Sequence, residues 1–289
     1  MPEAPRLPQR PEPRDLAELR ALRTAQPQLA PAIDLQIELI ELLRRLRARV
    51  PTPMAPIGTD AARERLAAGH RLLEIPEISL EWTEFRLALR QVADVLRRHD
   101  ALETADHGPI VALAREPDTL ASLVASWYSE TSVPPADRAA LATHRQHLPA
   151  MIDQVFSIAI RPFLARAAEV AAQSAPVGEW GRPWCPYCGS EPEFAAVIAD
   201  DVRVLTCGRC EARWPWLFVG CPWCETRDAS RLVTLASPDR KYRVYGCTAC
   251  QRYLKGYDAR GGRRPVLPAV DTIATLPLDA AAMQRGFAG

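Results

Sequence analysis

The chain has 289 residues, 48% hydrophobic and 25% charged, with a formal net charge of +1. That length exceeds the usual single-domain mode of roughly 100–150 residues, and so ordinary a composition excludes a disordered or fibrous chain. The balance of charge forms no dense basic stripe, which argues against a nucleic-acid partner, and no uncharged run approaches the roughly 18 residues that span a bilayer. The first residues, Met1 to Arg14, are charged and proline-rich with no apolar stretch of the kind a secretory signal carries. A cytoplasmic location, with no membrane partner, is therefore expected. In that compartment thiols are kept reduced, so the eight cysteines read as metal ligands or redox groups rather than disulfides.

In chain order, helices are expected near Asp15–Leu22 and over Ile33–Val50, where Ile33, Ile37, Ile40, Leu43 and Leu46 recur at three- and four-residue steps. Further helices are expected near Asp60–Leu73, over Trp82–Leu96, near Asp118–Tyr128 and over Ala150–Ala171, the last with a kink at Pro162. Prolines at 51–56, 76, 134 and 135 separate these elements. Near Pro176–Gly181 the character changes. Runs at Val202–Leu205 and Tyr242–Tyr245 are of β type, and Trp214, Trp216 and Phe218 alternate with polar or smaller neighbours as in a half-buried strand. Pro215 restricts that strand to a sheet edge. The expected fold class is α+β: an N-terminal all-α helical domain over 1–176, a first four-cysteine metal ribbon over 181–219, and a second over 220–289 that includes the C-terminal tail.

The cysteines form four pairs, Cys185/Cys188, Cys207/Cys210, Cys221/Cys224 and Cys247/Cys250, separated by gaps of 18, 10 and 22 residues. A Cys-x-x-Cys turn aims two sulfurs at one ion, and 18 or 22 residues suffice for a hairpin that returns a second turn to complete a tetrahedron. Ten residues suit a connecting strand instead. The pairing is thus sequential, Cys185/188/207/210 and Cys221/224/247/250, with interleaved pairing the lesser alternative. Both halves open on Cys-Pro-aromatic-Cys, as an internal duplication would leave them. All five histidines precede the cysteines, so both sites are expected to be all-sulfur. Iron and zinc suit such a site equally. Loading eight thiolates with two divalent ions moves the formal net charge from +1 to −3.

Saturated sites lack the open coordination position of hydrolytic zinc centres, so the ions are read first as structural. Gly189 and Gly208 allow close backbone approach, and Trp184, Trp214, Trp216 and Trp223 are read as packing over the metal turns. Arg44, Arg45, Arg47 and Arg49 read as a solvated helix face, and His144 and His147 as surface residues. No phosphate loop, nucleophile elbow or dinucleotide fingerprint occurs, and no catalytic residue is nominated.

The run Cys185-Pro-Tyr-Cys188-Gly-Ser-Glu-Pro192, the turn Leu205-Thr-Cys207-Gly-Arg-Cys210, Gly220-Cys221-Pro-Trp-Cys224, Cys247-Thr-Ala-Cys250-Gln-Arg-Tyr-Leu-Lys255 and the tail Asp271–Asp279 together resemble the formate dehydrogenase accessory protein family, FdhE. The match covers roughly Trp184 to Gly289. The resemblance implies two rubredoxin-like modules that bind iron or zinc through the eight cysteines. It also implies a cytoplasmic maturation factor, not an enzyme, that contacts the catalytic molybdenum or tungsten subunit of formate dehydrogenase. The main alternative is a rubredoxin-like electron carrier; a zinc-ribbon nucleic-acid binder is disfavoured by the charge pattern.

Overall fold

The computed structural model describes residues 12–53, 57–131, 150–175, 177–198, 201–260 and 264–288. The first part is helical: α1 (Arg14–Ala25), α2 (Ala30–Arg47), α3 (Thr59–Ala67), α4 (Ile75–Ile78), α5 (Trp82–Arg98), α6 (Thr104–Leu113), α7 (Pro117–Thr131) and α8 (Ala150–Ser174). Among the described residues no helix is long and apolar enough to cross a membrane.

α5 sits at the centre because its apolar positions allow it. Phe85, Ala88, Leu89, Val92, Ala93, Val95 and Leu96 are all buried, at the three- and four-residue steps that make one helix face. That face packs against α2, α6 and α8. Phe85 meets Phe156 and Phe163 of α8 edge-on, at 6.3 and 6.1 Å between ring centroids. α8 runs on past Pro162 without a break in the helix. α3 stops short of the expected Leu73. Gly69 follows it in a left-handed conformation (φ 78°), the usual way a chain leaves a helix, so Leu72 and Leu73 are free for other partners.

After the helices come β1 (Pro192–Val197), β2 (Arg203–Cys207), β3 (Arg213–Trp216), β4 (Leu232–Ala236), β5 (Tyr242–Cys247) and β6 (Arg252–Asp258). β1–β3 make an antiparallel meander and β4–β6 make another; the two expected ribbons are present. They are not side-by-side beads, however. They share a single six-stranded sheet of order β3-β2-β1-β6-β5-β4, joined where β1 runs parallel to β6 with Phe194 opposite Lys255 and Val197 opposite Asp258. Gly256 makes this seam possible, since a Cβ there would lie 2.9 Å from the Tyr245 ring and 3.1 Å from the Ala195 carbonyl oxygen. β3, the strand containing Pro215, forms one edge, as the missing N–H requires.

Two helices close the chain, α9 (Pro268–Ala274) and α10 (Leu276–Met283). Val270 of α9 joins Leu19, Leu29 and Ile33 in a small core with α1 and α2, while Ala282 and Phe287 cover Val244 and Tyr253 on the second ribbon. The tail therefore ties the far ribbon back to the N-terminal helices. The main core does not stop at the helix-to-sheet change: it runs from Leu39 through α5, α7 and α8 into Trp180, Trp184, Tyr187, Trp214 and all four cysteines of the first ribbon.

Candidate metal centres

Each cysteine pair lies on a tight turn that the strands hold in place. Cys185 and Cys188 precede β1, Cys207 ends β2 and Cys210 precedes β3; Cys221, Cys224, Cys247 and Cys250 repeat these positions around β4, β5 and β6. The backbone of the turns repeats as well. Gly189 N–H donates to the Cys185 carbonyl at 2.9 Å and Cys185 N–H to the Ser190 carbonyl at 2.8 Å. In the second ribbon Glu225 N–H and the Cys221 carbonyl, and Cys221 N–H and the Thr226 carbonyl, meet at 3.0 Å. In all four turns the residue after the second cysteine is left-handed: Gly189 (φ 72°), Glu211 (60°), Glu225 (55°) and Gln251 (57°). Backbone N–H groups consequently point at sulfur: Arg209 and Cys210 donate to Cys207 Sγ at 3.4 and 3.5 Å, and Trp223 to Cys221 Sγ at 3.4 Å. Such donors spread the charge of a thiolate cluster.

The four sulfurs of each group lie within 4.8 Å of one another, grouped as the sequential pairing expects. Cys185 and Cys210, and Cys188 and Cys207, are 3.4 Å apart at Sγ; Cys221 and Cys250, and Cys224 and Cys247, are 3.6 Å apart. A tetrahedron with metal–sulfur bonds of about 2.3 Å has sulfurs about 3.8 Å apart, so the donor sets fit an ion of this kind. Two four-cysteine clusters could hold two metal ions. Electrostatics point the same way. Burial pushes the Cys185 and Cys210 thiols well above their usual range. Burial opposes charge on Cys188 too, yet hydrogen bonds from Cys185, Cys207 and Cys210 and the nearby Arg209 hold it well below that range. Without a cation the cluster cannot carry four charges together. A divalent ion would supply the compensation, and a filled S4 set would offer it no open position.

The first centre is gripped by the helical body. Leu72 N–H donates to the Pro186 carbonyl at 2.9 Å and Leu73 N–H to that of Tyr187 at 2.8 Å, so the chain after Gly69 lies along the first turn. The Tyr128 hydroxyl of α7 donates to the Leu73 carbonyl at 2.8 Å. On the other turn, Arg161 of α8 donates to the Gly208 carbonyl at 2.7 Å. Arg209, buried beside the cluster, stacks over Trp127 at 4.5 Å and reaches the Thr131 carbonyl. A cavity of about 540 Å³ opens between α2, α8, α9 and this turn, with Arg44, Arg161, Glu193 and Cys207 on its walls. The second centre has a lighter cover. Arg252 stacks over Trp223 at 4.6 Å and pairs with both oxygens of Glu191 at 2.8 Å.

Trp184, Trp214 and Trp216 are buried with the first cluster and Trp223 packs against it, as the sequence suggested. Arg44 and Arg47, in the last turn of α2 beside the cavity, pair with Asp15 and Glu169, and Arg49, just past the helix end, pairs with Glu84. His144 and His147 lie outside the described residues. What the sequence did not disclose is the supporting shell: Leu72, Leu73, Tyr128 and Arg161 come from distant elements, and Arg209, although inside the Cys207–Cys210 motif, gives no sign there of its stacking on Trp127. It also left the signature residues Tyr253, Lys255, Asp271 and Asp279 without a role. Asp279 accepts from Tyr253 at 2.7 Å and from Lys255 Nζ at 2.7 Å, while buried Asp271 accepts from Tyr242 at 2.8 Å and Arg264 at 2.5 Å. These residues fasten the tail helices to the second ribbon.

The chain is 37% identical over 109 residues to a protein FdhE homolog of Erwinia tasmaniensis, 32% over 108 residues to one of Shewanella oneidensis and 35% over 111 residues to protein FdhE of Salmonella paratyphi A. The crystal structure of the FdhE protein from Pseudomonas aeruginosa has the same fold, with a TM-score of 0.61 over 95% of this chain and 91% of that one, at 20% identity. The resemblance to the FdhE family holds. The sequence matches cover 36–37% of this chain, and the chain spans about a third of the length of these curated FdhE relatives, 35% in each case. No family model matches it.

Proposed function

We propose that the chain is a cytoplasmic accessory protein required for formate dehydrogenase activity, which binds the catalytic molybdenum or tungsten subunit during assembly and has no turnover of its own. The similarity to FdhE proteins, in sequence over 109 residues and in fold over 95% of the chain, carries this reading. The chemistry of the clusters supports it. Cys185, Cys188, Cys207 and Cys210 would hold one ion and Cys221, Cys224, Cys247 and Cys250 the other, iron or zinc, in closed sets that bind no substrate. Such ions would fix the turns of both ribbons, the second of which rests on a small core of Val244, Tyr253, Ala282 and Phe287. Deleting the gene should abolish formate dehydrogenase activity while the enzyme's transcript persists, and the catalytic subunit should co-purify with the tagged protein. Normal activity in the deletion strain, with no co-purification, defeats the proposal.

A second reading, a rubredoxin-like electron carrier, is favoured by one observation: Cys224 is exposed, so an iron ion there would lie close to solvent. It requires iron and a reversible one-electron potential. A colourless protein containing only zinc eliminates it.

A further inference from the structure

The two clusters share ligands, spacing and turn geometry but not surroundings. In the first, Cys185 and Cys188 are 0% exposed, Cys207 1% and Cys210 2%. Its sulfurs belong to the main core, and both of its turns accept hydrogen bonds from the helical body, from Leu72, Leu73 and Arg161. In the second, Cys221 and Cys247 are buried, but Cys224 is exposed and Cys250 half-buried. None of its cysteines belongs to an apolar cluster of the described residues. The backbone bonds around it are local or come from the tail: Cys221 to Thr226, Thr248 to Arg231, and Ala288 to Gln251.

Ligand exchange at a filled tetrahedral ion needs an incoming donor to reach the ion while one resident sulfur leaves. At the first centre every sulfur is enclosed, so a donor gains access only when the helical body and the ribbon separate. At the second, the Cys224 corner is open, and Glu225 beside it is exposed as well. We propose that the two centres divide their work: the first keeps its ion as part of the core, and the second exchanges its ion with thiolate or nitrogen ligands from solution through Cys224. This rests on the reading that both clusters hold a divalent ion.

The step moves no electrons. A bond forms from the incoming donor to the ion, the bond from the ion to Cys224 Sγ breaks, and the freed thiolate takes a proton from water. Cys250 is next to leave, and the buried Cys221 and Cys247 are last. The ion remains divalent throughout and departs bound to the incoming ligand.

The test uses the full chain loaded with zinc, its metal content measured first, then mixed with excess 4-(2-pyridylazo)resorcinol while zinc release is followed by absorbance. One ion per chain should leave at least tenfold faster than the other, with a one-ion species visible by native mass spectrometry. Iodoacetamide added during the fast phase should label Cys224 and Cys250 ahead of Cys185, Cys188, Cys207 and Cys210. A Cys224→Ala chain should retain one ion and show only the slow phase; if it fails to fold, the labelling order in the unaltered chain decides alone. Release of both ions at one rate, or labelling that begins in the first cluster, overturns the proposal. A chain holding fewer than two ions before chelator is added overturns the metal reading itself.

Discussion

At the scale of single residues, the centres depend on backbone that most side chains resist. Glu211, Glu225 and Gln251 occupy the left-handed region where Gly189 stands in the first turn, at a cost of about 1–2 kcal/mol for a residue with a Cβ. Glu225→Gly should therefore stabilise the second ribbon, by about 0.5–1 kcal/mol once the extra freedom of glycine in the unfolded chain is set against the relief of strain. Zinc competition against a chelator of known affinity checks this; unchanged or weaker binding counts against it. Protons are the other lever. With Cys185 and Cys210 held protonated by burial, filling the first centre at pH 7 should release at least two protons, and affinity should fall as the pH is lowered. Calorimetry in two buffers of different ionisation enthalpy counts them. The grouping of the eight cysteines into two sets of four was legible in the sequence because spacing alone defines a Cys-x-x-Cys turn. The left-handed positions were legible only at Gly189, since the other three turns carry side chains that mask the conformation.

At the scale of elements, the long helices announced themselves, whereas α4, α6, α9 and α10 did not. α2, α5 and α8 carry apolar stripes over many turns, whereas α6 contains Gly108 and Pro109 and buries only Ile110, leaving no period to read. α9 and α10 are seven and eight residues long and each begins on or beside a proline. They are held less by periodicity than by the carboxylates of Asp271 and Asp279. Lys255 and Asp279 have side chains 12% and 20% exposed, so removing the carboxylate leaves a mostly buried ammonium with the Thr272 carbonyl but no counter-charge there, and takes the acceptor from the Tyr253 hydroxyl. Full burial would make that cost about 3–5 kcal/mol, and the residual exposure reduces it to about 2 kcal/mol for Asp279→Ala. The melting temperature should drop by about 4–8 °C, with α10 losing hydrogen-exchange protection first. An unchanged melting temperature would show that the tail is pinned by apolar contact alone.

At the scale of the molecule, the three modules at 1–176, 181–219 and 220–289 are best proposed as one body of two parts, with the first ribbon belonging to the helices. Nothing in the spacing of residues revealed this, because contacts such as those of Leu72 and Leu73 with the first cysteine turn join segments more than 100 residues apart. A fragment ending at Ala175 loses the aromatic cover of Trp180, Trp184, Tyr187 and Trp214 from a core they share. It should self-associate and bind an apolar dye, whereas a zinc-loaded fragment ending at Val219 should do so less; light scattering distinguishes them. A monomeric, helical 1–175 fragment would show instead that the helices fold independently.

The seam between the ribbons has a further consequence. It sets the first strand of one meander, β1, beside the last strand of the other, β6. A join of this head-to-tail kind, unlike a two-fold contact, does not close on itself. The sheet therefore ends on a last strand, β3, and a first strand, β4, the counterparts in the opposite meander of the β6 and β1 edges that meet at the seam. Each molecule displays both halves of its own internal contact, the geometry from which an open filament grows. Against this stand the brevity of β3, four residues long, and Pro215 within it, which has no hydrogen to donate to a neighbouring strand. The proline that marks the sheet edge thus also serves as its terminator, keeping a fold of two like meanders from continuing its repeat into the next molecule.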